Sequence, residues 1–399
     1  MFHIGNGGPP PIAGHRRGKG ILIMCRLFAI TSQTPLSPMV ALEALNVMKE
    51  GHDGSGVGLY LTDLAGDFEP YKDYPTLCGI FSNAGMKKLD EYMLARGFRP
   101  KFERTIRPSK PAPAGTPRRD VYLISVYDYP DEWKYLPKAE VRFRLMLTRV
   151  TLRQMGLEDG SMMVFSFWPD TIMLKEIGDP LAIADYLDLG DRNILARSML
   201  AQGRQNTNYA ITLYACHPFF VQGVATMTNG ENTAFVPIRE FLLSRQFPGY
   251  IGYQSDSEVF THILHYTYYN LGMGLEAYKH IITPLKDDEL ARHPESSRLR
   301  LLKHTCRPLI IDGPNCVIGF TPDRTLFIVQ DSKKLRPGVI GGRPGLYAVS
   351  SEICGLDAAI PDRDRSADFQ PMKYDVAYVD GNRREIKTWN QWEPFTLPH

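Results

Sequence analysis

Cys25 lies near the start of a 399-residue chain, in the stretch ILIMCRLFAIT. A thiol is a strong nucleophile only as its thiolate, so a catalytic cysteine needs a base or a positively charged setting. If the chain began at Cys25, the α-amino group of that residue, with a reference pKa of about 7.7–8.0, would be the base. A buried structural cysteine is the alternative, because free cysteine is among the most buried residue types.

The residues before Cys25 do not have the composition of a signal peptide. They are rich in glycine and proline, contain no acidic residue, and end in the apolar run ILIM, which is too short for a signal-peptide core. We expect residues 1–24 to be a disposable leader or to follow an unused upstream start. The chain as numbered is then expected to be inactive.

Composition excludes several classes of function. The formal net charge is +2, which gives no reason to expect nucleic acid or an anionic membrane as a partner. The six cysteines are scattered without a Cys-x-x-Cys pair, so neither a metal site nor a disulfide framework is predicted. No apolar run is long enough to span a bilayer. These features favour a cytoplasmic location.

Periodicity predicts a mixed α+β chain interrupted by an insertion. Helices are expected at MVALEALNVMKE, ending at Gly51, at MKKLDEYMLARGF and VRFRLMLTRVTLRQM, and at SDSEVFTHILHYTYYNLG, which has a capping signature. Strands are expected at the following stretches: CRLFAIT, VYLISVY, SMMVFSFW, NYAITLYACHPF, VATMTNGEN, PLIIDG, CVIGFT, TLFIVQD and LYAVSSE.

Three further motifs carry residues that could bind an amino acid or an oxyanion. Arg204 lies in GRQNTN, Asn229 and Gly230 in TNGEN, and Asp256 in SDSE. Each has an ordinary structural reading as well. The arginine could be a solvated charge, Asn-Gly a hairpin turn, and the aspartate a helix cap.

Taken in order with MCRLFAI and CHPF, these motifs resemble those of class II glutamine amidotransferases, which are N-terminal nucleophile hydrolases. Later stretches, GPNCVIGF, TLFIVQDSKKLRPGVIG and YAVSSEICGLD, resemble the last strands of the same family. The resemblance implies a four-layer αββα sandwich. It covers residues 24–63 and about 194–380, so we expect an amidotransferase domain over residues 25–63 and 194–399, with residues 64–193 as an insertion or subdomain.

The resemblance also implies roles for individual residues. Cys25 would be the nucleophile, and the Asn229 side chain and the Gly230 backbone N–H would form the oxyanion hole. Arg204 would bind the α-carboxylate of glutamine and Asp256 its α-ammonium group, with Thr207 lining the pocket. No metal is implied.

Two positions depart from the family pattern. Arg26 follows the nucleophile where glycine is usual, and Glu50 stands where related enzymes commonly have an arginine. His52, Asp53 and Ser55 in the same glycine-rich loop are interpreted as structural. The turn at residues 335–337, Leu-Arg-Pro, is expected near the exit toward a partner.

No ammonia-acceptor machinery is evident, which favours the amidotransferase subunit of a glutamate synthase-like enzyme. That resemblance implies no cofactor in this chain, with FMN and iron–sulfur clusters on partner subunits that accept the ammonia. Two other classes stay open. One is an N-terminal nucleophile hydrolase acting on another amide, and the other is a non-catalytic scaffold or glutamine-binding subunit.

Overall fold

The computed structural model describes residues 25–48, 54–113, 116–190, 192–204, 212–245 and 255–394. Within these ranges the strands are β1 (Arg26–Leu36), β2 (Val57–Gly66), β3 (Pro75–Phe81), β4 (Arg99–Ile106), β5 (Val121–Asp128), β6 (Met162–Pro169), β7 (Thr171–Glu176), β8 (Ile194–Gly203), β9 (Phe219–Val221), β10 (Val224–Gly230), β11 (Asn315–Phe320), β12 (Leu326–Gln330), β13 (Val339–Arg343), β14 (Leu346–Ser350), β15 (Asp375–Val379) and β16 (Lys387–Asn390).

The described residues also form helices. They are α1 (Met39–Val47), α2 (Asn83–Ala95), α3 (Lys138–Asp159), α4 (Pro180–Tyr186), α5 (Phe235–Ser244), α6 (Glu258–His265), α7 (Leu275–Ile282), α8 (Asp287–Arg292), α9 (Ser296–Thr305) and α10 (Ile353–Ala359). The described chain is therefore a mixed α+β structure, and the predicted fold class is confirmed at that level.

The first sheet places β1 in its middle. Its strand order is β13-β14-β1-β8-β2-β7, and every neighbouring pair is antiparallel. The segment Leu27, Phe28, Ala29 and Ile30 is fully buried, so β1 is covered on both faces. A strand with two covered faces reads as a continuous apolar run, which explains why this stretch was recognisable as a strand.

The second sheet carries the other half of the core. Its order is β16-β15-β12-β11-β10-β9, again antiparallel throughout. Phe28 and Ile30 of the first sheet share one apolar cluster with Met227, Ile318 and Ile328 of the second. The two sheets therefore pack face to face, and β1 contacts β10, β11 and β12 directly.

Helices pack against both main sheets. On the first sheet, α1 packs on β1 and β8, and α10 packs on β13 and β14. On the second, α6 packs on β9 and β10, and α7 packs on β15. The predicted four-layer αββα sandwich stays a prediction. No described helix has the length and apolar character needed to cross a membrane.

A third sheet lies within the segment predicted to be an insertion. Its order is β4-β5-β3-β6, and α2 and α3 pack on it around a separate apolar cluster that includes Phe81, Leu89, Phe98, Leu152 and Phe167. Strand β7 follows β6 after one residue but pairs with β2 in the first sheet. The boundaries 64 and 193 stay predictions.

Two expected strands are wrong within the described residues. In PLIIDG, residues Arg307–Leu309 form a 3-10 turn with a proline near its start, and the backbone N–H of Ile311 bonds the carbonyl of Ile282 at the end of α7. In NYAITLYACHPF, residues Leu213–Ala215 form another 3-10 turn, which the Thr212 hydroxyl caps by accepting from the Ala215 N–H. Both turns take backbone groups that a strand would need for pairing.

The first helix is shorter than predicted. It ends at Val47, and Met48 is already extended, with ψ of 133°. The expected stop at Gly51 lies outside the described residues, as do His52 and Asp53.

Candidate active site

Cys25 stands at the open end of β1, where the two sheets meet. It immediately precedes the first strand residue, Arg26, is half-buried, and packs on the main apolar cluster. The side-chain amide of Asn229 donates a hydrogen bond of 3.1 Å to the Cys25 carbonyl oxygen. An amide donor from the second sheet is therefore fixed beside the residue that bears the candidate nucleophile.

Strand pairing fixes Asn229 and Gly230 at this end of the second sheet. They are the last two residues of β10 and pair with Cys316 and Asn315 of β11. Gly230 has φ of +152°, and a Cβ at this position would collide with the backbone of Pro314. Glycine is therefore required for the close approach of these two chain segments.

Arg204 lies at the same end of the first sheet. Gly203, the last residue of β8, pairs with Arg26 on one side and Val57 on the other, so Arg204 continues beside Cys25. The Arg204 N–H donates to the Gly56 carbonyl at 2.7 Å, and the Ser55 hydroxyl donates to the Arg204 carbonyl at 3.2 Å. Ser55 thus has the structural contact expected of it, and the arginine, only 6% exposed, is not a solvated surface charge.

Asp256 is attached to the loop that follows β10. Its carboxylate accepts a 2.9 Å hydrogen bond from the backbone N–H of Asn232. The aspartate is buried, and burial raises its pKa, with the charge of Glu231 acting in the same direction. At the start of α6, Ser257 makes no side-chain cap bond, but the Ser255 hydroxyl accepts a hydrogen bond of 3.1 Å from the Ser257 N–H, so a serine of the SDSE motif does bond the backbone there.

A histidine and a glutamine that the sequence analysis assigned no role connect the two sheets. Gln202 of β8 approaches His217 Nδ1 at 2.9 Å, and its amide oxygen accepts from the His217 N–H at 2.9 Å. The Thr228 N–H donates to the same Nδ1 at 3.1 Å. Burial lowers the pKa of His217, and the charge of Arg204 lowers it further. A neutral ring that accepts at Nδ1 therefore fixes the backbone next to Asn229. The CHPF motif is the sequence signal that pointed to this position.

The described structure brings four of the predicted site residues to one place. Cys25, Arg204, Asn229 and Gly230 terminate β1, β8 and β10 at the meeting edge of the sheets, and Asp256 is tied to the loop two residues beyond. Thr207 lies outside the described residues. The set combines a thiol, an amide donor and one buried charge of each sign, which are the groups needed to hold an amino acid and attack its side chain.

Two relatives resemble the chain at low identity. An uncharacterized protein of Archaeoglobus fulgidus is 25% identical over 370 residues, 89% of this chain and 93% of that protein. A protein of Methanothermobacter thermautotrophicus described as "Putative glutamine amidotransferase" is 27% identical over 188 residues, 46% of this chain and 51% of the relative. No family model matches the chain.

Two solved structures resemble the fold. One is the glutamine phosphoribosylpyrophosphate amidotransferase of B. subtilis complexed with ADP and GMP, at a TM-score of 0.42 and 12% identity over 93% of this chain and 50% of that one. The other is an allosteric regulatory enzyme of purine biosynthesis, at a TM-score of 0.45 and 12% identity over 92% of this chain and 49% of that one. The chain spans about half the length of both enzymes.

Proposed function

We propose that this protein is a glutamine amidotransferase that hydrolyses glutamine at Cys25. The observation that carries the proposal is the hydrogen bond from the Asn229 amide to the Cys25 carbonyl, which joins the two sheets at their common edge. A buried arginine and a buried aspartate at the same edge provide opposite charges for the two ends of an amino acid. The Methanothermobacter relative supports the same class of activity.

The proposed reaction is an acyl transfer. The free α-amino group of Cys25 takes the thiol proton, and the sulfur bonds to the side-chain carbonyl carbon of glutamine. The Asn229 amide and the Gly230 N–H stabilise the oxyanion, with such donors worth about 10²–10³ in rate each. The C–N bond breaks, the amino group returns its proton, and ammonia leaves. Water then cleaves the thioester, which releases glutamate and restores the thiol.

Substrate binding would use the charges on either side of the sulfur. Arg204 matches the planar α-carboxylate, and Asp256 pairs with the α-ammonium group. Thr207 is proposed to line the same pocket.

The proposal is tested with the chain beginning at Cys25, its first residue verified by intact mass. Cys25→Ala should lower ammonia release from glutamine by about 10⁴-fold or more, because the nucleophile is gone. Cys354→Ala, at a half-buried cysteine on α10, is the matched control and should keep the activity. Equal ammonia release from wild type and Cys25→Ala would refute the mechanism.

We also propose that the ammonia passes to a separate synthase subunit of a glutamate synthase-like enzyme, whose partners would carry FMN and iron–sulfur clusters. The turn at residues 335–337 supports an exit here, because it lines an open cavity of about 610 Å³ together with Ser351. The Ser351 hydroxyl accepts from the Leu27 N–H at 3.0 Å, two residues from Cys25. Purification of the native complex should then yield a flavin-containing partner. A complex without flavin or iron would overturn this assignment and leave the glutaminase proposal intact.

A non-catalytic role is the second candidate, because retention of residues 1–24 would keep the Cys25 amine in a peptide bond. A native protein that retains residues 1–24, binds glutamine and releases no ammonia would favour that scaffold role. Hydrolysis of another amide in preference to glutamine would instead favour the other class of N-terminal nucleophile hydrolase.

A further inference from the structure

A group of buried cationic side chains lies between α3, which packs on the third sheet, and β7 of the first sheet. We name it the cation cluster: Arg149 and Arg153, one turn apart on α3, and Lys175 on β7. The three residues are 6%, 6% and 5% exposed. Together with Tyr214 and Glu258 they line one small cavity. None of them is used in the proposed glutaminase reaction.

The cluster contains more positive than negative charge. Glu258, 4% exposed, is the carboxylate that lines the cavity. Burial alone would raise its pKa, but a hydrogen bond with His262 and the charge of Arg153 lower the pKa overall, so the glutamate is ionised. Among the residues that the structure describes, no ion pair joins a carboxylate to any member of the cluster. Buried charges are normally paired, so two positive charges here need compensation.

The pKa values of Lys175 and Arg149 are both lowered, as expected where positive charge is in excess. Burial, together with the charges of Arg153 and Arg149, lowers the pKa of Lys175 to about 7, although the charge of Glu258 acts in the opposite direction. Burial also lowers the pKa of Arg149 to about 10, with the charge of Arg153 adding to the effect. A nearby negative charge would oppose each of these shifts.

Polar atoms at the cavity are buried without a hydrogen-bond partner. They include Arg153 Nε, which is a donor, and Glu258 Oε2, which is an acceptor; the Tyr214 hydroxyl at the same cavity can also donate. The Arg153 guanidinium lies 4.3 Å from the centre of the Tyr214 ring, which holds the two donors close together. Leaving such buried atoms unpaired is unfavourable. A bound species that accepts hydrogen bonds would satisfy the donors.

The size of the cavity limits what can fill it. Its volume is about 30 Å³. A single water needs about 10–15 Å³ on the same measure. There is room for one halide-sized anion with a water at the Glu258 side, but not for a phosphate or sulfate.

We propose that the cation cluster is a binding site for one small monovalent anion of halide size. The anion accepts hydrogen bonds from Arg153 and Tyr214 and lies within the field of Arg149 and Lys175. It reduces the excess of positive charge and bridges α3 to β7. Lys175 also donates to the Cys216 carbonyl, so the anion supports the segment that leads to His217.

Bromide substitution locates the anion directly. Crystals of the full chain grown in sodium bromide should show an anomalous difference peak among Arg149, Arg153 and Lys175. A cavity filled by water alone, with no anomalous peak, would overturn the proposal, since charge would then be relieved by loss of the Lys175 proton. This experiment uses no glutamine and is independent of the proposed function.

Thermal unfolding tests the site in solution. At constant ionic strength, replacing sodium gluconate by sodium chloride should raise the wild-type Tm by about 3 °C, because chloride binds only the folded state. Arg153→Met should abolish this anion-specific shift. Arg144→Met, at a half-exposed arginine of α3 paired with Glu140, should keep it. An equal shift in both variants would contradict the proposal. Should Arg153→Met fail to fold, the bromide crystal decides.

Discussion

At the scale of single residues, the Asn229 side chain both links the two main sheets and has a role in the proposed chemistry. Its amide bonds the Cys25 carbonyl in the structure, and the same group has a further N–H that can meet an oxyanion. Neighbouring Gly230 permits the approach to Pro314 that holds this strand end in place. Gly230 therefore fixes the position of the strand end, and the adjacent Asn229 provides the amide donor of the proposed reaction.

Removing the amide donor should slow the chemical step. Asn229→Leu keeps the approximate volume, and we expect kcat for glutamine hydrolysis to fall by about 10²–10³ with little change in KM. Asn390→Leu is the control, because the Asn390 amide also makes a hydrogen bond, to Asp375 on the distant edge of the second sheet. Steady-state kinetics of both variants test this, and an unchanged kcat for Asn229→Leu would exclude the oxyanion role.

Asp256 should make stability depend on pH in a predictable direction. Burial raises the pKa of its folded-state carboxyl above the unfolded value of about 3.9. The folded state therefore binds the proton more tightly, and the ionised aspartate is unfavourable above its folded pKa. The penalty is absent below about pH 4 and appears as the pH rises through the folded pKa.

Comparison with Asp256→Asn isolates this effect. The free energy of unfolding of the variant, relative to wild type, should increase as pH rises from about 4 toward neutrality. Chemical denaturation across that range measures the difference. A constant difference, or one that falls with rising pH, would show that the carboxyl is not destabilised by burial.

The residue types at the site could be predicted from sequence, but their contacts could not. Arg204, Asn229 and Asp256 each had an ordinary structural reading, and the order of their motifs is what singled them out. The contact of Asp256 with the Asn232 N–H depends on how two distant loops pack. The CHPF motif marks the position of His217, but the sequence does not show that this histidine forms a hydrogen-bond network with Gln202 of the other sheet.

At the scale of elements, one buried ion pair joins the segment before β5 to the first sheet. Arg119 contacts both oxygens of Glu176 at 2.9 and 3.0 Å, and Tyr122 of β5 donates to the same carboxylate. Glu176, on β7, is fully buried. The third sheet is thereby tied to the first by a carboxylate that cannot reach water.

Breaking this pair should be costly. Arg119→Met leaves the Glu176 charge with weaker compensation, and we expect the free energy of unfolding to fall by about 3 kcal/mol. Lys101→Met removes a surface cation of the same sheet, paired with Asp128 at 3.0 Å, and should change stability little. Denaturant unfolding of both variants measures the contrast. Equal losses would mean that the buried pair has no special role.

Secondary-structure elements with a clear apolar pattern in the sequence were predictable. Elements whose conformation depends on tertiary contacts were not. The run CRLFAIT and the hairpin of β11 and β12 are strands as expected, because their apolar side chains are buried on a sheet. The stretch PLIIDG is equally apolar, but its backbone binds the end of α7 instead of a strand. In α3, the basic residues Arg149 and Arg153 point into a cavity, which helical periodicity alone does not reveal.

At the scale of the whole molecule, the candidate site exists only because distant parts of the chain converge. Strand β1 begins beside Cys25, its partner β8 ends at Gly203, and β10 ends at Gly230. The strands of the third sheet lie between β1 and β8 in the sequence. The two main sheets present these ends at one edge. A site built in this way requires the complete pair of sheets, so a change that separates them should remove activity along with the fold.

Covalent labelling tests the central claim most directly. The chain beginning at Cys25 is incubated with a glutamine analogue that carries a diazomethyl ketone in place of the side-chain amide. The diazo carbon takes up the proton lost by the thiol, the thiolate displaces N₂, and the stable thioether that forms is located by peptide mass spectrometry. We predict a single adduct on Cys25, prevented by excess glutamine and accompanied by complete loss of ammonia release. An unmodified Cys25, or an adduct at Cys354 or another cysteine with the same loss of activity, would contradict the account.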